Sequence, residues 1–241
     1  MRSTWPNRNA GVVEVYFAKT PDIINEYARL KVLIDGNEKL KADKLHFEED
    51  RHTTVLCHSL LRVILSKKLK TDPSGIRILY KDNSKPRLEG DSLYFNISHT
   101  RDAFAFAISD GFEIGIDLEK IDRDIDFLSI TRKFFSTAER AYVLDSPRDS
   151  RNRFFLLWTR KEALLKALGT GIISNLAYTE VIGHGGILNN NSYEYITDDH
   201  SFDDHYIYSK KIKKYYLSVA MPQKVKILMH HLNAEKVLTY I

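Results

Sequence analysis

Two apolar segments rich in β-branched and aromatic residues, Val12 to Phe17 and Phe112 to Leu118, stand roughly 100 residues apart. Each opens the same series: a strand, helical stretches, a long amphipathic helix, then further strands. In the first series, apolar residues from Ile23 to Ile34 fall at helical spacing until Asp35-Gly36-Asn37, and a polar helix follows from Glu38 to about Phe47. The long helix is about Asp50 to Leu69, with Val55, Leu56, Ser59, Leu60, Val63 and Ile64 on one stripe. Strands are predicted at Ile76–Tyr80, Leu93–Ile97 and Ala103–Ser109. In the second series, Ser136-Thr137-Ala138-Glu139 forms a capping box that opens a helix. The long helix runs from about Ser150 to Leu168 and ends at Gly169. Strands are predicted near Tyr178–Ile182, Tyr193–Ile196 and Tyr215–Ala220. This order predicts an α+β fold of two similar lobes, residues 1–110 and 111–241. A cleft between such lobes is a common ligand site.

Composition narrows the function classes. The 241 residues are 43 % apolar and 28 % charged, which excludes a largely disordered chain and leaves ample material for a core. A net charge of +4 suits an acidic protein partner and falls well short of the excess that marks nucleic-acid binding. The runs Lys67-Lys68-Leu69-Lys70 and Lys210-Lys211-Ile212-Lys213-Lys214 lack interleaved stacking aromatics and read as solvated charge. A single cysteine, Cys57, excludes an internal disulfide framework and a Cys-rich zinc site. No stretch approaches the ~18 apolar residues of a membrane span, and no apolar signal region follows Met1. A cytoplasmic protein with no membrane partner is the expectation.

Few residues present themselves for chemistry. Glycine-rich phosphate loops, zinc-protease and serine-hydrolase signatures are all missing. Cys57 and His58 are adjacent on a core helix and so point apart, which speaks against a catalytic pair. Asp117 and Glu119 end a predicted strand, and a period of two puts both carboxylates on one face. Such a pair suits a divalent cation bound to a substrate phosphate, or is a solvated strand end. On the long second helix Glu162 and Lys166 are four apart and share a face. Lys161 falls among Leu157, Trp158, Leu164 and Leu165, so its ammonium must snorkel or find a carboxylate. Asn96 to Arg101 joins two strands and carries short polar side chains beside His99 and Arg101, a composition suited to phosphate or to a polar hairpin. In Ser84-Lys85-Pro86 the proline holds Lys85 extended, towards an anion or towards water.

Three segments, in this order and spacing, resemble the 4′-phosphopantetheinyl transferases of the larger Sfp type: Phe95-Asn96-Ile97-Ser98-His99, Ile114-Gly115-Ile116-Asp117-Leu118-Glu119, and Trp158-Thr159-Arg160-Lys161-Glu162-Ala163-Leu164-Leu165-Lys166. Phe134-Phe135-Ser136 with Glu139, Lys85-Pro86, and Asp50-Arg51 with Leu60-Leu61-Arg62 extend the likeness from about Lys41 to Ala220. The resemblance implies two α+β lobes related by a pseudo-twofold axis, with coenzyme A as co-substrate in the cleft. It implies transfer of phosphopantetheine to a serine of an apo acyl carrier or peptidyl carrier protein, with release of 3′,5′-ADP. By the same resemblance Asp117, Glu119 and Glu162 would hold Mg²⁺, or Mn²⁺ in its place. Glu162 would take the serine proton, with a metal-bound water as the alternative base. Lys166 would contact the pyrophosphate and stabilise or protonate the leaving nucleotide. His99 and Lys41, assisted by Thr54 and Ser98, would bind the 3′-phosphate. Lys85 beside Pro86 would meet the phosphates or the adenine side. Lys161 would be structural, through a buried ion pair. A duplicated chain holds a complete cleft, so a monomer is implied. The alternative is a non-catalytic coenzyme A or phosphonucleotide binding protein, in which the three carboxylates are incidental.

Overall fold

A computed structural model describes residues 11–80, 85–90, 92–121, 124–169, 176–177, 179–182 and 205–241. Strand β1 (Val12–Lys19) leads into a series of short helical turns, among them α1 (Thr20–Ile23) and α2 (Tyr27–Leu30). The continuous helix expected over Ile23–Ile34 does not form. The Leu30 carbonyl accepts instead from the Ser59 hydroxyl at 2.8 Å, and Lys31–Leu33 tightens into a 3-10 turn. Helix α3 (Gly36–Asp43) starts at Asp35, where the Asp35 and Glu38 side chains cap each other's backbone N–H groups. Helix α4 (Glu48–Leu69) carries Glu48, Glu49 and Asp50 in its first turn and Lys67 and Lys68 in its last, both favourable to the helix dipole. Short strands β2 (Ile78–Leu79) and β3 (Arg87–Leu88) pair antiparallel. Strands β4 (Tyr94–His99) and β5 (Ala103–Ser109) form a hairpin.

The second half repeats this plan. Strand β6 (Gly115–Lys120) precedes α5 (Phe127–Phe134), α6 (Thr137–Leu144) and α7 (Ser150–Leu168). The predicted capping box is present, with the Ser136 hydroxyl accepting from Glu139 N–H at 3.1 Å and Glu139 accepting from Ser136 N–H at 2.8 Å. Strands β7 (Tyr206–Ile212) and β8 (Tyr215–Met221) form a hairpin, and β9 (Lys226–Leu232) with α8 (Ala234–Leu238) closes the described chain. The lysine run at 210–214 is therefore the end and turn of this hairpin, with Lys213 at φ 54°. Charge suits an edge strand such as β7, because it discourages pairing with another chain. The segment at 193–196 lies outside the described residues, and 179–182 is not a strand.

Connectivity shows the duplication. In the first half the opening strand pairs with the last strand of the hairpin, giving the order β4-β5-β1; in the second the order is β7-β8-β6. The fold is α+β, with helices between the opening strand and the hairpin in each half. Strand β9 falls outside the division at residue 110. It pairs parallel with β1, Val12 opposite Lys226 through Ala18 opposite Leu232, so these C-terminal residues complete the first sheet. One apolar layer joins the two sheets. Val13, Val15 and Phe17 of β1 pack with Ile116 and Leu118 of β6 and Leu217 and Val219 of β8. Among the described residues no helix is long and apolar enough to cross a membrane.

Candidate active site

The site begins at a seam between β4 and β6. Among the described residues strand β6 is ladder-paired only with β8, and its other edge is met by side chains. Asn96 Oδ1 accepts from Ile116 N–H at 2.8 Å, and Ser98 Oγ accepts from Leu118 N–H at 3.2 Å. The Ile116 carbonyl accepts from Lys166 Nζ at 3.0 Å, and the Ile114 carbonyl accepts from Lys85 Nζ. These contacts satisfy backbone groups that burial would otherwise leave unpaired.

Alternation along β6 decides what each face does. Ile114, Ile116 and Leu118 enter the apolar layer between the sheets. Gly115, Asp117 and Glu119 take the other face. Helix α7 crosses that face at Gly115, where an added Cβ would lie 2.0 Å from the Ala163 carbonyl oxygen and 2.4 Å from Ala167 N. Only glycine permits so close an approach. Ala163 and Ala167 are four apart, and Glu162 and Lys166 lie one residue before each. The same approach therefore brings the Glu162–Lys166 stripe over the β6 carboxylates.

Lys166 Nζ lies 2.8 Å from Asp117 Oδ1 and also donates to Ser98 Oγ at 3.2 Å. Ser98 Oγ in turn donates to Asp117 Oδ1 at 3.0 Å. Asp117 is buried, and its second oxygen, Oδ2, has no hydrogen-bond partner among the described residues. Glu162 is buried beside it, and its carboxyl is pushed up to about 7. Desolvation is the main cause, Asp117 and Glu119 add repulsion, and Lys166 opposes them. Asp117, Glu119, Glu162 and Lys166 are thus brought together as expected from sequence, and Ser98, expected at the 3′-phosphate, is hydrogen-bonded to Asp117 and Lys166. Among the described residues no three metal-type donors already stand at the spacing of a metal site. The buried Asp117 oxygen and the repulsion that Asp117 and Glu119 exert on Glu162 nevertheless fit a divalent cation.

The remaining residues are spread along the first half. His99 ends β4, and the protein around it, with His58 and Lys166, holds its pKa below the usual histidine value, while Asp50 acts the other way. Thr54 is buried on α4, and its hydroxyl has no partner among the described residues. Lys41 on α3 places its ammonium 3.3 Å from the centre of the Tyr80 ring. Lys85 is not gathered into the carboxylate group. Its ammonium is held by Glu113 and the Ile114 carbonyl, and Pro86 after it is half-buried ahead of β3. Lys161 is fully buried and pairs with Glu139 at 2.7 Å, while also donating to the carbonyls of Leu176 and Thr179. Glu139 therefore serves both the cap of α6 and the neutralisation of a core ammonium.

One cluster had no signal in the sequence pattern. Glu38 is buried and accepts from Arg62 Nε at 2.6 Å, His58 Nδ1 at 3.0 Å and the Tyr80 hydroxyl at 2.9 Å. Its partners lie 20 to 42 residues away in the chain, beyond the reach of any local motif.

Glu38 and Glu162 have opposite consequences for stability. Burial would raise the Glu38 carboxyl, but His58, the Asp35 N–H and Arg62 bring it down to about 2, from an ordinary 4.5. Its contribution is present above pH 4.5 and is lost as pH falls towards 2. Glu162, raised from 4.5 to about 7, keeps a proton in the native state that the unfolded chain has released. Stability therefore falls as pH rises across that window. In EDTA, thermal melts at pH 5 and pH 7 should differ less for Glu162→Gln than for the wild type. An equal difference in both would overturn the assignment.

Comparison with known proteins bears on the family of the chain. A family model described as the 4′-phosphopantetheinyl transferase superfamily matches residues 113–220, and one described as 4′-phosphopantetheinyl transferase, N-terminal, matches residues 22–110. The chain belongs to the 4′-phosphopantetheinyl transferase superfamily. The transferase HetI of Nostoc sp. is 32 % identical over 148 residues, covering 59 % of this chain and 62 % of that one. The transferase Sfp of Bacillus subtilis is 32 % identical over 149 residues, 61 % of this chain and 65 % of that one. AcpT of Salmonella typhimurium is 36 % identical over 110 residues, 45 % of this chain and 56 % of that one. The matches thus span less than two thirds of these relatives' lengths. A crystal structure of holo-[acyl-carrier-protein] synthase from Thermotoga maritima aligns with a TM-score of 0.32 at 19 % identity, covering 46 % of this chain and 63 % of that one.

Proposed function

We propose that this chain transfers the phosphopantetheine arm of coenzyme A to a serine hydroxyl of an apo acyl or peptidyl carrier protein, releasing 3′,5′-ADP. The observation that carries the reading is the β4–β6 seam, where Asp117 and Glu119 both repel the buried Glu162 carboxylate, Lys166 pairs with Asp117, and a buried Asp117 oxygen lacks a partner among the described residues. Asp117, Glu119 and Glu162 would hold Mg²⁺ or Mn²⁺. The cation would supply charge neutralisation at the pyrophosphate as the leaving oxygen gains negative charge.

The chain's own residues supply the rest. Lys166, half-exposed and already placed by Ser98 and Ile116, would donate to the pyrophosphate and stabilise the departing nucleotide. Glu162 would accept the carrier serine's proton. His99, Thr54 and Lys41 would receive the 3′-phosphate, and the unpartnered Thr54 hydroxyl is a donor awaiting an acceptor. Every one of these residues comes from a single chain, so we propose that a monomer suffices. The net charge of +4 would favour encounter with an acidic carrier.

Intact-mass spectrometry tests the reading directly. An apo carrier incubated with this protein, coenzyme A and Mg²⁺ should gain one phosphopantetheine arm, and EDTA should block the gain. Tight binding of coenzyme A without transfer to any of a panel of acyl and peptidyl carriers would favour a non-catalytic binding protein instead.

A further inference from the structure

We propose that Ser98 is a positioning residue of the cation site: it fixes the Asp117 carboxylate and the Lys166 ammonium across the seam between the two halves, and it is not a donor to the 3′-phosphate. The inference rests on the function proposed above. A serine hydroxyl has one proton to give and two lone pairs to offer. At Ser98 all three are committed. Its Oγ donates to Asp117 Oδ1 at 3.0 Å, and it accepts from Leu118 N–H at 3.2 Å and from Lys166 Nζ at 3.2 Å. No proton is left for a phosphate oxygen. Successive strand residues face opposite ways, so Ser98 turns towards β6 together with Asn96, while His99 takes the other face of β4.

Ser98, Asp117 and Lys166 form a closed triangle in which every pair is hydrogen-bonded, the third side being Lys166 Nζ to Asp117 Oδ1 at 2.8 Å. Asp117 rides on β6 and Lys166 on α7, both in the second half; Ser98 comes from β4, in the first. The hydroxyl is pinned by the N–H of Leu118, one residue past Asp117. Ser98 and Lys166 both donate to the same carboxylate oxygen, Oδ1. Two donors on one oxygen fix the rotation of the carboxyl group, and they leave Oδ2 buried with no partner among the described residues. Ser98 thereby decides which oxygen stays open for a cation. Without the hydroxyl, Oδ1 loses a charge-assisted bond and the Leu118 N–H loses its acceptor. The carboxyl can then turn, and the ammonium can take either oxygen.

The test measures two affinities on the full chain. Mn²⁺ alone is titrated and followed by electron paramagnetic resonance. Coenzyme A and 3′-dephospho-coenzyme A are compared by calorimetry in EDTA. In Ser98→Ala the Kd for Mn²⁺ should rise by about 10-fold, while the preference for coenzyme A over the dephospho form stays within about twofold of wild type. Ser98→Thr keeps a hydroxyl on a strand and should bind Mn²⁺ within about threefold of wild type. A phosphate ligand would give the reverse pattern in Ser98→Ala, a lost preference with unchanged Mn²⁺ affinity, and that result would overturn the inference. Loss of both ligands in Ser98→Ala would mean a structural role and overturn it too, as would Ser98→Thr binding Mn²⁺ as weakly as Ser98→Ala. If wild type transfers the arm yet Ser98→Ala keeps its Mn²⁺ affinity, only this inference fails. If wild type binds no Mn²⁺ and transfers nothing, the proposed function fails and takes this inference with it.

Discussion

Asp117→Asn is expected to lower phosphopantetheine transfer by about 10³-fold or more while leaving the protein at least as stable as the wild type. The substitution keeps the shape of the side chain and its hydrogen bond from Ser98. It removes the charge that repels Glu162 and that would help hold the cation. A thousandfold loss corresponds to about 4 kcal/mol of transition-state stabilisation, within the range that charge neutralisation at a phosphoryl oxygen supplies. Stability moves the other way. Asp117 Oδ2 is buried without a partner among the described residues, and its carboxylate pushes protons onto Glu162. An amide relieves that repulsion, although it weakens the contact with Lys166. Thermal melts in EDTA, run beside initial rates with a saturating carrier, check both halves. Transfer within tenfold of wild type would remove Asp117 from the cation site. A large drop in melting temperature would mean that the Asp117–Lys166 pair holds the seam together rather than serving chemistry.

That separation of roles also marks what could be read from the sequence. The motif residues were legible because short-range periodicity fixes their faces. Asp117 and Glu119 share a strand face by alternation, and Glu162 and Lys166 share a helix face by their spacing of four. Helix α7 and strand β5 occupy the predicted residues because each combines strong periodicity with clear end signals. Lys161 needed a carboxylate, and Glu139 supplies it. Long-range partners were not legible. Strand β9 lies along β1 across more than 200 residues of chain, and nothing local in Lys226–Leu232 announces a parallel partner. The first helical segment reads as one helix, but the Ser59 hydroxyl, 29 residues on, takes the Leu30 carbonyl. Lys85 reads as a phosphate ligand, yet Glu113 holds its ammonium. His58 reads as a core residue, and in the structure Glu38 and Tyr80, 20 and 22 residues away, hold its ring.

Gly115→Ala should cost more activity than its size suggests, because the closest contact at that position is backbone to backbone. An added methyl would sit 2.0 Å from the Ala163 oxygen and 2.4 Å from Ala167 N, and neither atom can rotate away. Helix α7 must retreat by roughly 1 Å or more to restore van der Waals distance. Overpacking of this kind costs about 1–3 kcal/mol of stability. The larger effect falls on the site, since Glu162 and Lys166 ride on the same turn of α7 as the displaced residues. Lys166 would draw away from Asp117 Oδ1 and the Ile116 carbonyl, now 2.8 and 3.0 Å distant. A misplacement of about 1 Å can lower a rate by about 10²-fold, so that is the expected loss in kcat. Gly36→Ala is the control, because nothing lies within 4 Å of the added Cβ there. It should match the wild type in both rate and melting temperature. If Gly115→Ala also matched it, the close approach of α7 to β6 would not be what sets the catalytic geometry. A loss of stability with no loss of rate in the folded fraction would show that the helix can withdraw while Glu162 and Lys166 still reach their positions.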